Sequence, residues 1–85
     1  MPGDVRYYAI VSVGRTAGTP SGLARRRNEA GGVVDEALRH DLRWQRDSAI
    51  VEWEHGEVGA DLVEISDSEA EELTTRFRAL WAEQA

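Results

Sequence analysis

The sequence predicts an α+β domain in which a small antiparallel sheet of three or four strands is covered on one face by a C-terminal amphipathic helix. Several short segments alternate apolar and polar side chains with the period of two that is typical of strands. The C-terminal segment instead carries apolar side chains at helical spacing, behind a helix-start signal at Ser66. A length of 85 residues suits a single domain, spanning 1–85.

Two segments near the start of the sequence predict a β-hairpin. The segment 5–13 alternates regularly, and its apolar face includes Tyr7 and Ala9. Glycine, proline and hydroxyl residues dominate 14–22, which predicts a loop. The segment 23–28 predicts the returning strand, and its three consecutive arginines lead us to expect it at the edge of the sheet.

The middle of the sequence predicts a short helix and two further strands. Apolar residues recur at helical spacing after a pair of glycines, which predicts a helix over 33–42. The segment 48–55 alternates again and predicts a strand. A last short strand is predicted over 61–65; if it pairs with 48–55, the glycines between the two segments suit the turn of a hairpin.

The C-terminal helix is predicted over 66–84. Ser66 and Glu69 form the Ser-x-x-Glu pattern of a capping box, in which each side chain satisfies a free backbone amide of the other residue. Acidic residues fill the first turns and arginines come later, the order that the helix dipole favours. One apolar stripe predicts the helix face that covers the sheet: Ala70, Leu73, Phe77, Leu80 and Trp81.

The composition excludes several kinds of site. Cysteine is absent, which excludes a disulfide, a thiol nucleophile and a thiolate zinc site. Lysine is also absent, which excludes the Walker phosphate loop. The net charge of -6 is unevenly divided: residues 1–43 carry seven arginines against five acids, and residues 44–85 carry three arginines against eleven acids. Such asymmetry suits docking between surfaces of complementary charge.

We expect no catalytic, cofactor-binding or metal-binding residues, and the protein is predicted not to be an enzyme. The two histidines, His40 and His55, have no nucleophile at a recognisable spacing. His55 has acidic neighbours, but on a regular strand Glu52 and Glu54 would project to the side opposite His55. The sequence therefore argues against a metal site at His55.

Arg25, Arg26 and Arg27 form the one cationic cluster in the sequence, and two interpretations of it remain open. In the first, these arginines contact a phosphate or a nucleic acid, and Tyr7 or Tyr8 on the neighbouring strand provides a stacking surface. Alternatively, these charges protect an edge strand from aggregation or pair with the acidic second half of the chain. The net charge of -6 disfavours a general affinity for nucleic acid.

Trp44 and Trp81 are candidate contact residues for a partner. The chain has three tryptophans, two tyrosines and one phenylalanine, more rings than a core of this size readily encloses. Trp44 follows the predicted short helix in a polar setting, and Trp81 lies near the end of the sequence. Either would serve as an exposed interface anchor, because aromatic residues are enriched at binding hot spots. The alternative is that they cover the rim of the core.

A set of stretches that spans most of the chain has a familiar order: Tyr7-Tyr8-Ala9-Ile10-Val11, Ser21-Gly22-Leu23-Ala24-Arg25-Arg26 and Asp61-Leu62-Val63-Glu64-Ile65-Ser66, with Trp44 and Ala49-Ile50-Val51 between the last two. In this order they resemble small single-domain proteins of unknown function from actinobacteria. The resemblance implies a compact α+β fold and a bacterial cytoplasm. It implies no activity, cofactor or site.

These observations predict a small acidic, non-enzymatic protein-protein interaction module or accessory subunit, acting with a protein partner or as a homodimer. The alternatives are ligand or nucleic-acid binding through the arginine cluster, and a regulator whose acidic second half imitates nucleic-acid phosphate. No cofactor is expected. The sequence shows no secretory-signal pattern and no apolar run near the ~20 residues of a membrane span, so we expect a cytoplasmic location.

Overall fold

The computed structural model describes residues 4–12, 20–56 and 61–84. In chain order its elements are β1 (Val5–Val11), β2 (Gly22–Glu29), β3 (Gly32–Leu38), β4 (Trp44–Arg46), α1 (Ala49–Glu54), β5 (Asp61–Ile65) and α2 (Asp67–Gln84). The strands lie side by side in the order β4-β3-β2-β1-β5, and all neighbouring pairs are antiparallel. The α+β class is therefore confirmed, with five strands in place of the three or four predicted.

The predicted hairpin is formed by β1 and β2, with Tyr7 opposite Arg25 and Ala9 opposite Leu23. The expected position of the second strand is wrong, because β2 lies in the middle of the sheet between β1 and β3. Its charges are tolerated there because carboxylates lie within ion-pair distance of all three arginines. Most of the predicted loop 14–22 lies outside the described residues.

The helix predicted over 33–42 is wrong, since most of this range forms the strand β3. A two-residue turn, Ala30-Gly31, places Gly32 opposite Glu29, and Gly32 adopts a φ of 130° that favours glycine. Two β-branched valines follow, which suit a strand. Pairing with β2 therefore overrides the helical spacing of the apolar residues in this segment.

The strand predicted over 48–55 is also wrong, because the helix α1 occupies this segment. The Oδ1 atom of Asp47 accepts a hydrogen bond of 2.7 Å from the amide of Ala49, one of the amides that have no partner inside the helix. Ile50 and Trp53 are three residues apart, so one face of α1 carries both toward the sheet. The tertiary contact of this face with the sheet favours the helix.

The strand β5 confirms the prediction over 61–65. It pairs with β1, with Tyr7 opposite Ile65, instead of forming a hairpin with the segment before it. The short strand β4, which the sequence patterns do not indicate, pairs with β3 at the other end of the sheet. Within the described part of the chain, β4 and β5 are thus the edge strands.

The helix α2 confirms the predicted C-terminal helix and its capping box. The Glu69 amide donates to Oγ of Ser66 at 3.2 Å, and the Ser66 amide donates to Oε1 of Glu69 at 3.3 Å. Of the predicted apolar stripe, all members are buried except Leu80, which is 48% exposed. A rotation of about 100° around the helix separates Leu80 from Trp81 and turns Leu80 away from the sheet.

A helix covers each face of the sheet. The longer helix, α2, lies on the face that carries Ala9, Leu23 and Leu38, as expected for the covered face. The shorter helix, α1, lies on the other face against Tyr8 and Ala24, a second layer that the sequence patterns do not indicate. Among the described residues, neither helix has the combination of length and apolar character that a membrane span requires.

Candidate functional site

The arginine cluster of β2 is divided between the two faces of the sheet. Because neighbouring side chains of a strand alternate, Arg25 and Arg27 project toward the face of α2, and Arg26 projects toward the face of α1. The adjacent strand β3 places Glu36 opposite Arg25 and Asp35 opposite Arg26. Each face therefore brings a carboxylate to the arginines that point into it.

Arg26 is held by two carboxylates on the α1 face. Its Nε and Nη2 atoms donate to Oδ1 and Oδ2 of Asp35 at 2.7 and 3.0 Å. Its Nη2 and Nη1 atoms also donate to Oε1 and Oε2 of Glu54, on α1, at 2.8 and 3.1 Å. The hydrogen bonds that Arg26 donates to Asp35 and then to Glu54 raise the pKa of Arg26 above its ordinary value. The same contact with Arg26 lowers the pKa of Glu54. This arginine joins α1 to the sheet.

Arg25 and Arg27 share one carboxylate oxygen on the α2 face. The Nε atoms of both donate to Oε1 of Glu36 at 2.9 Å, and Arg27 also pairs with Glu29. Partial burial opposes the ionisation of Glu36, but the hydrogen bonds from Arg27 and Arg25 outweigh it and lower the pKa of Glu36. The hydrogen bond with Glu36 in turn raises the pKa of Arg27.

These ion pairs leave the arginine cluster without a net positive charge. Three guanidinium groups contact four carboxylates, those of Glu29, Asp35, Glu36 and Glu54. A phosphate would have to compete with these carboxylates, and in two of the pairs both side chains are less than a quarter exposed. The cluster thus pairs with acids of its own chain, but three of the four lie in the first half, and only Glu54 belongs to the acidic second half that is predicted to supply them.

A tight turn between β3 and β4 positions Trp44. The Leu42 amide donates to the Arg39 carbonyl at 2.8 Å, and the Arg39 amide donates to the Arg43 carbonyl at 2.9 Å. Leu42 adopts a φ of 65°, in the left-handed region, and its side chain packs against the core cluster below α2. The turn places Trp44 opposite Leu38, so that its ring stands on the α2 face.

The Trp44 ring is fixed by two neighbours and remains half-exposed. The guanidinium carbon of Arg25 lies 4.1 Å from the centroid of the ring, a cation–π contact. The ring of Tyr7 lies on another side, with its centroid 6.2 Å away and an interplanar angle of 55°. The structure thus brings Arg25 and Trp44 together, two of the residues that the sequence marks as contact candidates.

A groove of about 450 Å³ runs between these rings and α2 and is open to solvent. The sheet supplies the two aromatic side chains and the helix supplies one small apolar residue and five polar ones. We refer to it as the α2 groove, which is lined by Tyr7, Trp44, Asp67, Ala70, Glu71, Thr74, Thr75 and Arg78.

The helix side of the α2 groove carries three charged side chains. Asp67 and Glu71 are four residues apart, so their carboxylates are neighbours of like charge on one helix face. Arg78 lines the same groove further along α2. Within the described residues, none of these three side chains forms an ion pair. The groove therefore offers carboxylates and a guanidinium group to a ligand.

Thr74 and Thr75 line the α2 groove between those charges. The Oγ1 atom of Thr74 donates to the Ala70 carbonyl at 2.8 Å, and that of Thr75 donates to the Glu71 carbonyl at 3.1 Å. Since each hydroxyl hydrogen is used by the helix, the oxygen lone pairs remain as acceptors. The middle of the groove therefore accepts hydrogen bonds from a ligand that carries N–H groups.

Trp81 belongs to the core and not to an exposed surface. Its ring stacks on Phe77 with a centroid distance of 4.6 Å and an interplanar angle of 1°, and His40 covers it at 4.5 Å. Only 8% of the residue is exposed. This geometry does not fit an exposed interface anchor. It fits the alternative, in which Trp81 lies at the rim of the core. Of the two candidate residues, Trp44 is the more exposed.

The histidines take no part in a cluster of metal ligands among the described residues. His40 contacts Trp81, and His55 follows the C-terminal end of α1. Because His55 ends a helix and does not lie on a strand, the strand alternation that would separate it from Glu52 and Glu54 does not apply. The conclusion that no metal site is expected is a prediction that rests on other grounds, chiefly the absence of cysteine.

Most of the groove residues are missed by sequence reasoning. Asp67, Glu71, Thr75 and Arg78 follow one another at intervals of four, four and three, which marks one polar side of a helix. That pattern alone is typical of a solvated helix face. The proximity of Trp44 distinguishes this face of α2, and that proximity depends on β4, a strand that the sequence patterns do not indicate.

The fold and the groove define a small α+β domain with an open aromatic and charged groove between its long helix and its sheet. Comparison with protein-family models, with curated proteins and with solved structures finds no match to this chain.

Proposed function

We propose that this protein is a non-enzymatic interaction module that binds a protein partner through the α2 groove. One observation carries the proposal: the groove combines two aromatic rings with carboxylates that have no ion-pair partner among the described residues. Aromatic side chains in a polar surround are the usual composition of a protein-binding hot spot. The bacterial cytoplasm, which the family resemblance implies, is the proposed setting.

The groove walls are held in place before any ligand arrives. Arg25 and Tyr7 fix the Trp44 ring, and the capping box at Ser66 fixes the first turn of α2. A site that is already ordered loses little conformational entropy on binding, which favours affinity from a small contact area. The same rigidity makes the groove a defined shape for one kind of partner segment.

The shape of the groove suits part of a protein better than a small molecule. Its volume of about 450 Å³ is of the size that holds a few side chains, and its open side leaves a bound ligand in contact with solvent. Small-molecule sites usually bury most of the ligand surface. A segment of a partner, whose remaining residues stay outside, fits an open groove.

Nucleic-acid binding through Arg25, Arg26 and Arg27 is the weaker candidate. These arginines hold carboxylates of their own chain, and binding driven by counterion release needs several cations free to contact phosphate. A homodimer is one form of the proposed function, in which a second copy supplies the segment that enters the groove.

Site-specific photocrosslinking tests the proposal. Thr75, an exposed residue of the groove, is replaced by p-benzoylphenylalanine, and Val33, 55% exposed on the opposite face of the sheet, is replaced in a control variant. Illumination in the native host is expected to yield a discrete adduct from position 75 that is absent from position 33. The substitution Glu71→Arg in the groove should abolish that adduct.

The mass of the adduct separates the forms of the proposal. An adduct with a second copy of the chain identifies a homodimer, and an adduct with another protein identifies a heteromeric partner. The same mixture of adducts from positions 33 and 75, or adducts that persist after Glu71→Arg, would contradict the proposal.

A further inference from the structure

The charges of the α2 groove have a direction, and we propose that they select an extended peptide segment with a lysine or arginine at one position and a carboxylate three residues away. This inference rests on the proposed function and specifies the partner segment. The cation would lie against Asp67 and Glu71, and the carboxylate would lie against Arg78.

The order of these groups along the groove follows from the course of α2. The helix begins two residues after Ile65, which pairs with Tyr7, so Asp67 and Glu71 lie at the Tyr7 end. Three residues after Arg78, Trp81 contacts His40 in the turn between β3 and β4. Arg78 therefore lies toward the opposite end, and the groove has an acidic end and a basic end.

The spacing of the charges sets the spacing in the ligand. Seven residues separate Glu71 from Arg78, which corresponds to about 10 Å along a helix that rises about 1.5 Å per residue. A peptide in the extended polyproline II conformation advances about 3.1 Å per residue and completes one turn in three residues, so side chains three residues apart lie on the same side. Three residues of such a peptide therefore span about 9 Å, and they bring the cation to the acidic end of the groove and the carboxylate to Arg78.

The acidic end favours a cation for two reasons. Asp67 and Glu71 repel each other at the i, i+4 spacing, and a bound lysine or arginine removes this repulsion. The Tyr7 ring lies at the same end, and an aromatic face attracts a cation. A neutral or acidic side chain at this position would neither relieve the repulsion between the carboxylates nor be attracted to the Tyr7 ring as a cation is.

The middle of the groove suits a peptide backbone. The hydroxyl oxygens of Thr74 and Thr75 accept hydrogen bonds, since their hydrogens are donated to helix carbonyls. A peptide that lies along the groove presents backbone N–H groups at this position. A small zwitterion of the same length lacks such groups, so the peptide is the ligand that uses all of the groove.

A titration followed by ¹⁵N–¹H correlation spectra tests the inference on the full chain. The probes are the peptides Ac-Gly-Lys-Ala-Ala-Asp-Gly-NH2, the same composition with Lys and Asp adjacent, and a version with lysine at both positions. The indole N–H of Trp44 reports on the groove, and that of Trp53, which donates to Asp61 and contacts Tyr8 of the α1 face, is an internal control. We expect the first peptide to shift Trp44 and not Trp53, with an affinity about threefold above that of either control peptide.

A charge reversal provides the sharper arm of this experiment. In an Arg78→Glu variant, whose spectrum must show the dispersion of the unaltered protein, the order of preference should reverse, with the peptide that has two lysines about threefold tighter than the others. Equal affinities for all three peptides, or equal shifts of Trp44 and Trp53, would overturn the inference. If the peptides fail to bind while position 75 still yields a specific crosslink, the charge spacing is wrong and the proposed function stands.

Discussion

The guanidinium carbon of Arg25 lies 4.1 Å from the centroid of the Trp44 ring, although the two residues belong to strands that are separated by β3. The contact reaches diagonally across the sheet, past Glu36, which pairs with the same arginine. It links the ion pairs of the sheet to the wall of the α2 groove. A residue that the sequence suggests as a phosphate ligand thus orders an aromatic ring.

Replacing Arg25 with leucine should loosen Trp44 while leaving Glu36 paired with Arg27. A cation–π contact at a partly exposed site contributes about 1 kcal/mol, and the substitution also removes the hydrogen bond to Glu36, so we expect the free energy of unfolding to fall by at least about that amount. Urea denaturation measures it. Arg43→Leu, at an exposed position beside Trp44, is the matched control and should change stability by less than about 0.5 kcal/mol. Equal losses in the two variants would show that the Trp44 contact contributes nothing.

Replacing Arg26 with methionine should destabilise the fold, because it leaves Asp35 partly buried without its cation. Hydrogen bonds to charged groups contribute about 2 kcal/mol, and we expect a loss of that size in the free energy of unfolding. The variant Glu54→Gln, which keeps the pair with Asp35, should lose less. The double variant Arg26→Met, Asp35→Leu should recover part of the loss, since no unpaired charge remains. A double variant that is no more stable than Arg26→Met would count against this account.

Acidification should weaken the fold through Glu36, whose pKa is lower in the folded protein than its ordinary value. A carboxylate with a depressed folded pKa stabilises the fold above its unfolded pKa of about 4.3, and this contribution is lost as the pH falls through the folded pKa. The free energy of unfolding should therefore be level above about pH 5 and decline below it. In Glu36→Gln that decline should be shallower. Parallel curves for the two proteins would contradict the lowered pKa.

Trp44 and Trp81 should differ in how much stability the protein loses when each is replaced by alanine. Trp81→Ala opens a cavity under α2 and should cost about 3–5 kcal/mol, enough to unfold much of a domain of this size. Trp44→Ala removes a half-exposed ring and should leave a folded protein with impaired binding in the groove. Circular dichroism and thermal melting distinguish the cases. A folded Trp81→Ala protein with an unchanged melting temperature would place Trp81 outside the core.

The strong local patterns of the chain predict four of its elements. The alternation in β1, β2 and β5 and the capping box of α2 each lie within a few neighbouring residues, so they are visible without the rest of the fold. The two errors in the type of element occur where a segment fits both the helical and the strand period. Ile50 and Trp53 suit a helix as well as Ala49, Val51 and Trp53 suit a strand.

Contacts between distant segments decide such cases, and they also decide the site. Asp35 and Glu36 are ordinary polar residues until β2 places arginines beside them. The polar side of α2 becomes part of a groove only because the turn at Leu42 brings Trp44 next to it. No pattern within one segment contains that information, so the groove is predictable only with the sheet order in hand.

The facing arginines and acids of β2 and β3 also bear on how the chain avoids errors while it folds. If β3 slid by two residues along β2, the apolar faces would still match, but Arg26 would lie opposite Val33 or Ala37 instead of Asp35. Each such misalignment leaves guanidinium and carboxylate groups without partners inside the sheet, which is costly. A hairpin made only of valine and leucine has no such discrimination. The charges of the central strand therefore favour the native alignment of β2 with β3 over alignments shifted by two residues.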